Sequence, residues 1–119
     1  MPLSKDEIKA RKHAPESVDV PDWGGSVLVK KLSGTEREAW ERWMSDQRDK
    51  EGVDFVKHGR AGLLVLCLVD ADGKRLFGDD EIADLSDLDG GGAALDLLWD
   101  VACRLNGIGR KAVEDTVKN

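Results

Sequence analysis

The run from Val18 to Lys31 constrains the fold more than any other stretch of the chain. Apolar and polar residues alternate on both sides of Gly24-Gly25, with Val18-Asp19-Val20-Pro21-Asp22-Trp23 before and Ser26-Val27-Leu28-Val29-Lys30-Lys31 after. A period of two marks a half-buried strand, and paired glycines supply the positive φ that a two-residue hairpin turn needs. Such a loop sets Val20 opposite Val29 and Asp19 opposite Lys30. Val18, Val20, Val27 and Val29 then share one face, and an Asp–Lys cross-strand pair lies on the other. Pro21 has no N–H to give a ladder, so the first strand is expected at a sheet edge.

The rest of the pattern is helical. Ser33-Gly34-Thr35-Glu36-Arg37-Glu38 offers two overlapping capping boxes, Ser33 with Glu36 or Thr35 with Glu38, and the sequence does not choose between them. Behind them Trp40, Trp43, Met44 and Gln47 lie on one stripe of a helix expected over 35–50. Residues 53–69 read equally as a buried helix or a buried strand; length favours a helix over 54–68, with Gly59 and Gly62 each weakening it by about 1 kcal/mol. Asp70-Ala71-Asp72-Gly73-Lys74 forms a turn returning through Arg75-Leu76-Phe77, a small two-stranded excursion. A short helix over 79–85, capped by Asp79 or Asp80, brings Ile82 and Leu85 inward. Ala94, Leu95, Leu98, Val101, Ala102 and Leu105 make the apolar stripe of a helix over 92–106, closed by Asn106-Gly107. A last amphipathic stretch covers 109–117. Residues 1–16 form a flexible polar arm with a short helix start at Ser4-x-x-Glu7, and 17–119 form one domain. The expected class is α+β: an N-terminal β-hairpin packed on a small, mostly α-helical domain.

Charge narrows the function classes. The chain of 119 residues carries 24 acidic and 18 basic side chains, a formal net charge of −6. Asp70 to Asp100 holds ten acidic and two basic residues, leaving the remainder slightly positive. Without a basic face to displace counterions from phosphates, nucleic-acid binding is not expected. The longest apolar run, Leu63 to Val69, has seven residues, far short of a membrane span. The first residues lack the apolar core of a secretory signal, so an intracellular protein is expected. The acidic block reads as a solubilising face or as a docking face for a basic partner.

Reactive chemistry finds little support. His13, His58, Cys67 and Cys103 show no metal-ligand spacing, both thiols sit in apolar stretches, and the histidines sit in polar, exposed ones. Asp70-x-Asp72-Gly73 begins a calcium-loop pattern that even ends on Glu81, but Lys74 and Arg75 occupy its fifth and sixth positions and place two cations in the cage. No serine has a nucleophile motif, and neither glycine cluster has the lysine and spacing of a phosphate loop. Neither an enzyme nor a cofactor is expected. Four tryptophans without a tyrosine are more informative. Trp40 and Trp43 read as core or as partner anchors, and Trp99 goes either way. Trp23, beside the hairpin turn, is the best candidate for exposure.

Val20-Pro21-Asp22-Trp23-Gly24-Gly25, the valine-rich return strand and Leu32-Ser33-Gly34-Thr35-Glu36-Arg37 together resemble the opening of tail assembly chaperones from long-tailed bacteriophages and prophages. The likeness continues through Asp70-x-Asp72-Gly73-Lys74-x-Leu76-Phe77 and Asp80 to Leu85, and ends with Leu105-Asn106-Gly107 and Lys118-Asn119. It spans roughly residues 18–119 and rests on the ordered set rather than on any one piece. The resemblance implies a non-enzymatic factor in the host cytoplasm, absent from the mature virion. It would hold the tape measure protein soluble until major tail tube subunits polymerise around it, and a frameshifted longer product often contacts those subunits. Expected partner-binding residues are Trp23, Val27, Val29, Trp40, Trp43 and Trp99. Self-association through an exposed strand edge is a further expectation. The competing readings are an acidic inhibitor or DNA mimic and a minor structural tail component.

Overall fold

The computed structural model describes residues 1–51 and 58–108; the expected helix over 109–117 and the start of that over 54–68 lie outside them. Strands β1 (Glu16–Val20), β2 (Gly25–Val29) and β3 (Leu68–Val69) form an antiparallel sheet in that order. Helices α1 (Lys5–Ala10), α2 (Gly34–Glu51), α3 (Gly59–Cys67), α4 (Ile82–Ser86) and α5 (Gly91–Asn106) complete the regular structure of the described residues, with 3-10 turns at Pro21–Trp23 and Asp79–Glu81. The class is α+β, as the patterning predicts.

The hairpin exists, but its register differs. Val20 pairs with Gly25, Val18 with Val27, Glu16 with Val29, and Asp19 with Ser26 rather than Lys30. Pro21 ends the ladder, and Pro21–Trp23 curls into a 3-10 turn closed by Gly24 N–H on the Pro21 carbonyl at 3.1 Å. Gly24, at φ +72°, reverses the chain, while Gly25 belongs to β2. Four residues therefore connect the strands instead of two. The partner of Val20 moves by four residues, an even number, so the side chains keep their faces and the four valines still share one. The strands cover 16–29, not 18–31, and the arm ends before Glu16, which joins β1. Pro21 lies outside the ladder, but β1 is an edge strand as expected.

α3 resolves the ambiguous apolar stretch. Eight of its nine residues are buried, Arg60 alone pointing out. A helix apolar all round shows no 3.6-residue period, so its pattern cannot be told from that of a buried strand. Leu68 and Val69 leave the helix to pair with Val29 and Leu28, and Lys30 N–H meets the Cys67 carbonyl at 2.9 Å. The expected local excursion is thus a third strand of the hairpin sheet, with a single bridge from Val69 to Arg75. Leu63, Leu64, Leu68, Leu85, Leu98, Val20 and Val29 are fully buried together.

Termini of the helices follow local chemistry. Of the two possible capping boxes, α2 uses Ser33 and Glu36, whose side chains each accept the other's backbone N–H at 3.1 and 2.9 Å. α1 forms with a box between Ser4 and Glu7. The 79–85 helix is split: Glu81 reaches back to the Gly78 N–H, so neither Asp79 nor Asp80 is its cap. α5 begins at Gly91, taking two glycines into its first turn, and ends in a Schellman closure with Gly107 at φ +62° and Ile108 N–H on the Cys103 carbonyl.

Candidate functional site

An apolar groove of about 190 Å³ runs between α2 and α3 and is closed at one side by the segment leading into α4. Ala39, Trp40 and Trp43 line it from α2, Gly62, Val65 and Leu66 from α3, and Asp79 and Ile82 from the third wall. Amphipathic spacing on α2 puts both indoles on the stripe facing α3. Trp43 comes so close that a Cβ added at Gly62 would lie 2.3 Å from its ring, so only glycine lets this indole approach α3 so closely. Trp40 is 9% exposed and meets the half-buried Trp99 edge-on, centroids 6.4 Å apart and planes at 60°.

Arg75 organises the acidic side. Its guanidinium donates to the Val65 carbonyl at 2.8 Å and to Asp79 at 2.7 Å, tying the turn after β3 to α3 and to the groove wall. Asp79 remains largely exposed in spite of this pair, and Asp80 and Asp84 are exposed beyond it. The groove is therefore apolar within, and the segment that closes it carries Asp79, paired with Arg75, and the exposed Asp80 and Asp84. Such a surface suits an apolar side chain followed by basic ones.

The structure divides the six expected partner-binding residues. Trp40, Trp43 and Trp99 gather at or beside the groove. Trp23, Val27 and Val29 belong to the hairpin and do not line it. Val29 is fully buried and Val27 half-buried, so both serve the sheet–helix core. Trp23 is half-buried in the 3-10 turn, its indole N–H shut away from solvent, rather than exposed on a strand. Ala39 carries no mark in the sequence, Ile82 is expected only as an inward-facing residue and Gly62 only as a weak point of its helix; a glycine inside an apolar helix is the one signal for a close approach.

The remaining reactive groups are held quiet. Burial pushes the Cys67 thiol up to about 12, with the nearby Glu36 carboxylate adding to it. Burial likewise pushes Cys103, only half-buried, up to about 11. Both are protonated at neutral pH. His13 is exposed, but His58 is half-buried with Nδ1 2.9 Å from the Ser86 hydroxyl, a contact its polar neighbours did not announce. Among the described residues no group of three or more His, Cys, Asp or Glu could hold a metal, and no helix is long and apolar enough to cross a membrane.

The model of one protein family, phage tail assembly chaperone, matches residues 5–116. The chain belongs to the phage tail assembly chaperone family. The tail assembly chaperone of bacteriophage HK97 has a similar solved structure, with a TM-score of 0.50 and 20% identity over 80% of this chain and 89% of that one. At that identity the likeness speaks for the fold. No curated protein sequence matches. The sheet and groove described above are thus parts of a tail assembly chaperone, and its role lies in the assembly of phage tails.

Proposed function

We propose that this chaperone binds the tape measure protein in the host cytoplasm, keeps it soluble and helps bring tail tube subunits to it, then leaves before the virion is complete. The reading is of a binding protein that catalyses nothing. The observation that carries it is the groove between α2 and α3, whose apolar floor and aspartate-bearing closing segment fit an amphipathic helical segment with basic residues beside its apolar stripe. The hairpin turn around Trp23 is a second contact in the same proposal, and the acidic stretch from Asp70 to Asp100 keeps the pair in solution.

Coexpression with the tape measure protein of the same phage tests this. The wild-type chaperone is expected to keep the tape measure soluble and to copurify with it. Ala39→Glu puts a charge into the groove from an exposed helix position and leaves the core untouched. It is expected to abolish copurification while circular dichroism and melting remain those of the wild type. Trp23→Ala is expected to weaken copurification; because the indole also packs on the core, the variant's melting temperature falls while the circular dichroism spectrum stays native. Full capture by the Ala39→Glu chain removes the groove from the proposal, and full capture by the Trp23→Ala chain removes the hairpin contact.

A further inference from the structure

α1 has no evident reason to fold by itself. It has six residues, and none of them is buried. A helix so short is not stable in water on its own, and a capping box of about 1 kcal/mol does not offset the cost of nucleating it. Leu3 and Ile8 stand 61% and 58% exposed on this arm, whereas the apolar stripes of α2 and α5 face the core. Lys5, Lys9, Arg11 and Lys12 surround them against Asp6 and Glu7, so the arm offers apolar anchors with a net positive flank.

The groove is its complement. Trp43, Val65 and Ile82 give apolar walls, and the segment closing the groove carries Asp79, paired with Arg75, followed by the exposed Asp80 and Asp84. We infer that the N-terminal arm of one copy seats in the groove of a second copy, Ile8 entering beside Trp43 and the basic residues meeting the aspartates. The root of the arm is fixed at the sheet edge, where Glu16 pairs with Arg104 at 2.6 Å. Residues 11–15 carry no helix or strand and span up to about 17 Å when extended, enough to cross to a neighbour. Among the described residues nothing covers Leu3, Ile8 or the groove; pairing two copies fills both. An arm seated this way covers the groove until another protein displaces it. The pairing itself is a property of the chain alone and stands or falls separately from the tape measure reading.

Sedimentation velocity on the isolated protein, over a concentration series up to about 100 µM, measures it. The wild type is expected to self-associate, with an affinity that falls as salt is added. Ile8→Asp, at an exposed position that cannot unfold the domain, is expected to weaken association about tenfold or more. A chain lacking residues 1–12 and the Ala39→Glu chain are each expected to be monomeric. Mixed together they should form a pair, because one retains the groove and the other the arm. A monomeric wild type, unchanged association after truncation or after Ala39→Glu, or a mixture that stays monomeric overturns the inference; in the last case the arm folds onto its own chain or onto nothing.

Discussion

Gly62 shows how a residue's local cost can hide its tertiary purpose. Read along the chain, it weakens a helix by about 1 kcal/mol relative to alanine. In the folded protein it provides the space into which the Trp43 ring fits, and a Cβ there would come within 2.3 Å of that ring. The two effects oppose each other in Gly62→Ala. Helix propensity gains about 1 kcal/mol, and forcing a methyl into a packed contact costs about 1–3 kcal/mol. The expected result is a net loss of roughly 1 kcal/mol in denaturant unfolding. The tryptophan fluorescence should also change as Trp43 is lifted off α3. A variant more stable than the wild type would show that Trp43 moves aside freely. Trp23 makes the same point from the other direction. Its place next to two glycines predicts a strand residue open to solvent, but the 3-10 turn rolls its indole N–H inward.

The capping boxes at Ser4 and Ser33 were readable because both partners lie within three residues of each other; choosing between two overlapping boxes was not, nor was the start of the 79–85 helix, where Glu81 bonds the Gly78 N–H. Ser33–Glu36 wins because Lys30, at the end of the hairpin, bonds Glu36 at 2.6 Å and brings the sheet to the start of α2. Burial by itself would raise the Glu36 carboxyl, but the hydrogen bonds from Lys30 and the Ser33 backbone and the Lys30 charge hold it below its usual 4.5. A carboxyl depressed in the folded state stabilises the fold above 4.5 and loses that contribution as pH falls through its folded value. Acid titration followed by circular dichroism is therefore expected to show a shallower loss of stability below 4.5 for Glu36→Gln than for the wild type. The variant itself starts less stable at neutral pH. Equal acid limbs would take Glu36 out of the acid response. The hairpin was legible as an element but not in its register, since proline's missing N–H and the 3-10 turn it favours decide where the ladder stops.

At the scale of the whole molecule, Asn106 joins what the sequence keeps 74 positions apart. Its side-chain oxygen accepts the Leu32 N–H at 2.7 Å, its amide donates to the Ala102 carbonyl at 2.9 Å, and its own carbonyl accepts from Arg37 at 2.7 Å. The end of α5 is thereby fastened to the loop between β2 and α2. Asn106→Ala leaves the Leu32 N–H without its acceptor and is expected to cost about 1–3 kcal/mol, read as a lower melting temperature of one cooperative transition. Early loss of the sheet ahead of the helices would instead assign Asn106 to a local clasp. Periodicity, caps and glycine turns act over a few residues, and for that reason the chain alone settled the fold class, the helices α2 and α5 over most of their length and the shared face of the four valines. The groove, the third strand and the Asn106 link depend on which distant surfaces meet. Trp43 on Gly62, Leu68 on Val29 and Asn106 on Leu32 are contacts between segments far apart in sequence, and only the packing of the elements against one another selects them.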